Sequence, residues 1–422
     1  LQAVMERPRP NVVVYLMDDV DLERIPRFTR TDAGTALQLA DLQAHEQCAS
    51  GLFNCTYDAR HLDGIGERGV TFLGAHVPSS VCTPSRYALL TGRLPSSAPF
   101  YSATRNGRIG EAGSVDVSWN AYLEAGFAGL PCPAPAAREC TRRASTLGHM
   151  LQHAGYYTGF VGKYHLMPPT GELESYVRGE HGSFDLAVQP TVSAAAENEA
   201  LLEGLRAARL PLHESVSRAG FNFTGALELG NVVETQGLGL GVHNAEWEAE
   251  AAVGFLSAAA ERLAAGAASA FYLHMCTTLT HAPGPNRGIC ADSRLSEAGL
   301  LPQPPAGTML PRSDVFARAG GRRCGWAEFD SVHTIWMDEQ MGAVLAQLRI
   351  IGAEAHTMVI ALSDHQRLGK GALFHGPRTP LLLQWPARVA PGQVLPAELL
   401  VSSLDILPTV LDAAGLLPRR GD

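Results

Sequence analysis

Apolar residues in this chain cluster in short, dense runs separated by polar and Gly/Pro-rich stretches. Residues 11–17 (NVVVYLM) form an unbroken β-branched-rich run, which predicts a parallel strand buried on both faces, and the run ends on Asp18-Asp19. Leu62 to Arg68 predicts a short helix end stopped at Gly69, and Val70 to Leu73 a strand. A further helix starts near Pro84. Ser145 predicts an N-cap for a helix to about His153, closed by Gly155. Tyr157 to Val161 reads as a strand running into Gly162-Lys163-Tyr164-His165. Asn244 caps an Ala-rich helix ending near Gly266, and Ala270 to Cys276 is a strand leading to Thr280-His281-Ala282-Pro283. Trp326 to Ile350 reads as a long amphipathic helix. Thr357 to Leu362 is a strand delivering Asp364-His365, Leu381 to Gln384 another, and Asp405 to Ala414 a helix with Pro408 in its first turn.

Strands therefore alternate with helices, and polar, chemically capable residues recur just after strand C-termini, where open α/β sheets place their sites. The fold class expected is α/β with a large, mostly parallel sheet. Residues near 20–60, 96–140, 168–240 and 284–322 lack sustained periodicity and read as loop-rich insertions into one domain spanning 1–422.

Composition narrows the function. The 422 residues are 46% hydrophobic and 18% charged, which suits a globular protein with a large core. A formal net charge of -9 argues against a nucleic-acid partner. It leaves anionic substrates open, because a local cluster of Lys, Arg and metal overrides the global sign. No apolar run approaches the ~20 residues that span a bilayer. The eight cysteines suggest an oxidising compartment: Cys48–Cys55, Cys132–Cys140 and Cys290–Cys324 each bracket a loop, leaving Cys82 for chemistry and Cys276 inside a strand. Glycosylation triplets at Asn54 and Asn222 point the same way.

The most specific stretch is Cys82-Thr83-Pro84-Ser85-Arg86, closing on Leu90-Thr91-Gly92-Arg93. It resembles the type I sulfatase signature, whose cysteine is oxidised to formylglycine by a formylglycine-generating enzyme. Gly162-Lys163-Tyr164-His165-Leu166 is similar to a second motif of that family. Asp18-Asp19 with Ser363-Asp364-His365 resembles its two metal-carboxylate segments, and the His281-Ala282-Pro283 turn its later histidine motif. Gly369-Lys370 with Arg378-Thr379-Pro380-Leu381, and the Asp405-to-Thr409 helix start, extend the match.

The resemblance implies an alkaline-phosphatase-like fold and hydrolysis of sulfate monoesters of a small molecule or carbohydrate, in the secretory pathway, extracellular space or lysosome. It implies Ca²⁺, with Mg²⁺ as the second choice, held by Asp18, Asp19, Asp364, His365 and the modified Cys82. Arg86 holds the formylglycine hydrate. Lys163 and Lys370 clamp the sulfate. His281 protonates the leaving alcohol, and His165 is the base that releases sulfate from the enzyme. The family's small C-terminal antiparallel subdomain is expected to be absent or truncated here. Two positions depart from the pattern: Gln366 stands where the family has Gly, and His375 where an acidic residue is common. A phosphonate or phosphate monoester hydrolase of the same superfamily, and a sulfatase-like anion-binding protein without turnover, are the alternative readings. His274, in mid-strand, is expected to be a core histidine rather than the acid.

Overall fold

A computed structural model describes residues 9–33, 35–36, 40, 57–97, 145–166, 199–231, 242–281, 286–321, 324, 330–367, 370 and 377–417. Its centre is an eight-stranded sheet in the order β11-β2-β10-β9-β1-β6-β4-β5. The strands are β1 (Asn11–Met17), β2 (Val70–Phe72), β4 (Tyr156–Lys163), β5 (Phe223–Glu228), β6 (Ala270–Cys276), β9 (Thr357–Ser363), β10 (Leu381–Gln384) and β11 (Gln393–Leu395); β3 (Ala75–His76) pairs with β12 (Val401–Ser402), β7 (Leu295–Ser296) pairs with β8 (Gly299–Leu300), and the first helix, α1, is Pro26–Thr31. β1 lies between β9 and β6, parallel to both, and β6 continues in parallel to β4 and β5. β10 is antiparallel to β9 and β2.

The apolar run of β1 divides between two cores. Val12, Val14 and Leu16 enter one, and Val13, Tyr15 and Met17 enter the other. That alternation is why the strand reads as continuously hydrophobic. The first core is closed by α3 (Cys82–Thr91), α4 (Leu147–His153), α5 (Glu199–Arg218) and α10 (Ile406–Ala413), through residues such as Leu90, Leu151, Val216 and Val410. The second is closed by α2 (Arg60–Glu67), α6 (Ala245–Ala264) and α9 (Asp330–Ile350), through Ile65, Phe255 and Trp336. The result is three layers with helices on both sheet faces.

Several boundaries differ from the sequence reading. Thr146, not Ser145, caps α4: its side chain accepts from the His149 N–H. α3 begins at Cys82 itself rather than near Pro84. The first part of the expected 20–60 insertion belongs to the core, because Val20, Leu22, Ile25 and Phe28 are fully buried against β1 and its neighbours. The stretch 168–240, read as loops, holds the 20-residue α5 and strand β5. The description of α9 starts at Asp330. The stretch 284–322 contains α7 (Asn286–Ile289), α8 (Arg312–Arg318) and a short hairpin. Cys290 and Cys324 form the expected disulfide, and Cys276 is buried and free. The pairs Cys48–Cys55 and Cys132–Cys140, Asn54 and His375 lie outside the described residues. No described helix is long and apolar enough to cross a membrane.

Candidate active site

The C-terminal ends of β1, β4, β6 and β9 converge on one point, and the N-terminus of α3 meets them there. β1 delivers Asp18 and Asp19, which are 0% and 4% exposed. β9 delivers Asp364 and His365, both buried. Backbone bonds lock these ends together: Asp364 N–H donates to Met17 O at 3.0 Å, and Asp18 N–H to Leu279 O at 2.9 Å. Asp19 and His165 hold φ of 58° and 53°, in the left-handed region that costs a non-glycine residue on the order of 1 kcal/mol or more. Both are residues singled out from sequence, so backbone strain gathers where the chemistry was expected.

All ten residues of α3 are buried. Its first turn is stitched to both strand ends: Thr83 Oγ1 donates to His165 O at 2.9 Å, and Ser85 Oγ to Asp364 O at 2.6 Å. Arg86 spans three elements. Its guanidinium donates to Asp364 Oδ2 (3.1 Å), Lys163 O (3.0 Å) and Asp18 Oδ1 (3.2 Å). Gly92 ends the helix with φ 63°. The signature therefore reads as a mechanical part: it seats Cys82 and grips the carboxylates with Arg86.

Lys163 Nζ, fully buried, donates to Asp18 Oδ2 at 2.6 Å and also to Asn231 Oδ1. Gly162, just before it, has φ 86°, and a Cβ there would lie 1.9 Å from Cys276 O. Only glycine lets β4 press on β6 while turning Lys163 inward. Two apart in an extended backbone, Lys163 and His165 would point to one side. The left-handed turn at His165 breaks that alternation, yet both residues act on Cys82.

His365 Nδ1 lies 2.9 Å from Gln366 O, and its Nε2 lies 3.2 Å from Cys82 Sγ and 3.1 Å from Asp19 Oδ1. Lys370 Nζ donates to Asp19 at 3.1–3.2 Å and sits 3.0 Å from His281 Nε2. His281 Nε2 is 3.5 Å from Asp19 Oδ2. All ten predicted residues thus gather in one cluster. His274 stands apart as a core residue: its Nδ1 pairs with Tyr272 OH at 2.7 Å, its ring stacks on Phe160, and burial pushes it down to about 3.

Charges in this buried cluster reshape one another. Burial opposes ionisation of Asp18, but Lys163 and Arg86 overcome it and hold the carboxyl well below its ordinary range. Asp364 goes the other way, up to about 7, because burial and the Asp18 charge outweigh its share of His365 and Arg86. Burial also disfavours the Cys82 thiolate, yet Lys163 and His365, with a hydrogen bond from His165, bring the thiol well below its usual value. His365 rises to about 10, since the Asp364 and Cys82 charges outweigh burial.

Oxygens of Asp18, Asp19 and Asp364 lie within 4.8 Å of one another, and ligand atoms of Cys82, Asp364 and His365 do the same. Three buried carboxylates on one spot fit a divalent cation. Sequence reasoning missed Asn231, Glu228 and Glu248. Glu228 pairs in register with Lys163, and Asn231 follows three residues later. Both follow the strand-end rule, and the signal was hidden because β5 itself was not seen.

Comparisons with known proteins follow the same line. A family model described as Sulfatase matches residues 41–201. The chain is 26% identical over 409 residues to rat (Rattus norvegicus) steryl-sulfatase, and 26% identical over 430 residues to rat N-acetylgalactosamine-6-sulfatase. These alignments cover 86% and 97% of this chain. The chain is thus similar to sulfatases along most of its length. It spans 63% of the length of each of these two sulfatases. The solved structure of Ps i-CgsB in complex with k-i-k-neocarrahexaose matches 98% of this chain and 73% of its own, with a TM-score of 0.52 at 16% identity. PsFucS1 sulfatase from Pseudoalteromonas sp. matches 97% of this chain and 69% of its own, with a TM-score of 0.50 at 15% identity. These two likenesses establish the sulfatase fold, which is alkaline-phosphatase-like.

Proposed function

We propose that this chain hydrolyses sulfate monoesters, with position 82 as nucleophile after conversion of the cysteine to formylglycine. One observation carries the reading. Cys82, buried at the N-terminus of α3, is the point on which Lys163, His165, His365 and the Asp18–Asp364 carboxylates all bear. Formylglycine there supplies a hydrated aldehyde as nucleophile. A divalent cation held by Asp18, Asp19, Asp364 and His365 supplies Lewis acidity toward the sulfate oxygens. The three carboxylates by themselves would suit Ca²⁺ or Mg²⁺.

The chain's own residues do the rest. Arg86 is committed to Asp18, Asp364 and Lys163 O, so it fixes the frame in which position 82 sits. Lys163 presents a buried ammonium to the sulfate anion. Burial disfavours that charge, but Asp18 keeps its pKa above the ordinary lysine value. Lys370 lies against Asp19 and completes the clamp. An ammonium only donates, so His281 Nε2 accepts from Lys370 here, and the two hold a proton at the atom that faces a leaving oxygen. His165, beside Cys82, is placed to take a proton from the nucleophile when sulfate is released.

The substrate class we propose is a sulfated small molecule or carbohydrate. The family relatives named above and the oligosaccharide bound in the Ps i-CgsB structure support it. The Cys290–Cys324 disulfide supports a secretory route, extracellular or lysosomal. Coexpression with a formylglycine-generating enzyme tests the proposal. Peptide mass spectrometry should find the aldehyde at position 82, sulfate release should accompany it, and Cys82→Ser should abolish release. Full specific activity with thiol alone at position 82 refutes the nucleophile.

A further inference from the structure

We infer that His365 makes this site select a first-row transition divalent ion over Ca²⁺ and Mg²⁺. The inference rests on the placement of a divalent ion among Asp18, Asp19, Asp364 and His365 argued above, and it names which ion class that site prefers.

Two observations carry it. The first is the orientation of the imidazole. His365 Nδ1 lies 2.9 Å from Gln366 O, a backbone carbonyl that can only accept. Nδ1 therefore carries a hydrogen, and a metal ion that displaces the proton on Nε2 meets a lone pair there. Nε2 points into the cluster, 3.1 Å from Asp19 Oδ1 and 3.8 Å from Asp364 Oδ1. The ring is buried and its orientation is fixed from behind. An imidazole nitrogen is a borderline donor that binds first-row transition ions far better than Ca²⁺ or Mg²⁺.

The second is the supply of oxygen. Ca²⁺ takes about 6–8 oxygen ligands, commonly with bidentate carboxylates. Here the carboxylates are already engaged. Arg86 holds Asp18 Oδ1, and Lys163 holds Asp18 Oδ2. Arg86 also holds Asp364 Oδ2, while Asp364 Oδ1 accepts from Asp19 N–H. Lys370 lies against both oxygens of Asp19. Such carboxylates favour one oxygen each toward an ion, and their burial limits how many waters make up the difference. Three oxygens and one nitrogen suit a smaller, less oxygen-demanding ion.

The test reads binding, not turnover. In a Cys82→Ser background, which removes the thiolate as a soft donor, the full chain is stripped with chelator. It is then equilibrated with Mn²⁺, Co²⁺, Mg²⁺ and Ca²⁺, singly and in competition. We expect Mn²⁺ and Co²⁺ to bind at least about tenfold more tightly than Ca²⁺. His365→Asn in the same background should narrow that ratio by about tenfold while shifting Ca²⁺ affinity less than about threefold. Pulsed EPR of the Mn²⁺-loaded protein, which needs no substitution at His365, should show coupling to a directly bound imidazole nitrogen. Ca²⁺ winning the competition, or bound Mn²⁺ without nitrogen coupling, overturns the inference and leaves the hydrolase reading standing. Selective Mn²⁺ binding in a formylglycine-bearing protein that releases no sulfate does the reverse.

Discussion

Glu248 lies behind the site, in the first turn of α6, 1% exposed, with Oε2 accepting from Gln340 Nε2 at 2.5 Å. Burial raises its carboxyl to about 8, against the pull of the Gln340 bond. At pH 5–7 it is therefore neutral in the native protein, whereas in the unfolded chain it titrates near the ordinary Glu value of about 4.3. The native state then binds one more proton than the unfolded state. Stability from this group is fully present below about pH 4.3 and is lost as pH rises through about 8. Each pH unit in that window removes about 1.4 kcal/mol, so moving from pH 5 to pH 7 removes roughly 3 kcal/mol. Asp338, Glu23 and Glu297, each raised by burial to about 7, act in the same direction. Asp18 acts in the opposite direction: its depressed value contributes stability above about pH 4 that is lost on further acidification.

Glu248→Gln keeps the shape and the partner but cannot ionise. The assay is urea unfolding of both proteins at pH 5, 6 and 7, followed by circular dichroism. The stability difference between variant and parent should move by roughly 3 kcal/mol in favour of the variant between pH 5 and pH 7. Parallel curves across that range would refute the reasoning, because they would mean Glu248 is ionised in the native protein at neutral pH.

Two further outcomes follow from the site and its surroundings. His281→Ala should slow alkyl and sugar sulfates by about 10²–10⁴ while barely affecting nitrophenyl sulfate, whose leaving group needs no proton; equal losses on both would make His281 a sulfate-positioning residue. Non-reducing peptide mapping should return Cys290 linked to Cys324, and Cys324→Ser should cost about 4 kcal/mol on the loop-entropy estimate for their 34-residue separation; free thiols at both positions would remove the support for an oxidising compartment.

Much of this was legible in the chain because the strongest signals were local. β1 is a buried strand by composition alone, and the carboxylates after it lie where a parallel sheet presents its site. The ten candidate residues were found by motif, and most of these motifs close a strand or open a helix at that same sheet edge. What stayed hidden depended on tertiary context. α5 carries Pro211 inside it, which breaks the helical reading, and β5 opens on Phe-Thr-Gly with half-exposed residues. Without β5, neither Glu228 beside Lys163 nor Asn231 beyond it had a place to point. The bend at His165 was equally invisible: only the fold, holding His165 N–H on Leu229 O at 2.8 Å, makes a left-handed residue tolerable there.

The charge count of the cluster bears on which esters it accepts. Asp18, Asp19 and Asp364 supply three negative charges, and Arg86, Lys163 and Lys370 three positive ones, every one of them tied to a carboxylate in the set. With Asp364 ionised and His365 as a neutral ligand, the states that a bound metal ion favours, these six charges balance. With a divalent ion the set stands two charges positive, which one monoanionic ester and one ionised nucleophile neutralise. A sulfate monoester or a phosphonate monoester carries that single charge. A phosphate monoester dianion leaves the site one charge in excess. At about 4 Å and an effective dielectric of about 20, one surplus charge costs on the order of 4 kcal/mol before relaxation. The formylglycine-bearing protein should therefore favour aryl sulfate and aryl phosphonate over aryl phosphate in kcat/KM by up to about 10³ at pH 8, where phosphate is dianionic, and by less near pH 5, where it is a monoanion. A preference for phosphate that grows with pH would show that the carboxylates of this cluster are not all ionised in the working enzyme, and the charge argument would fail with it.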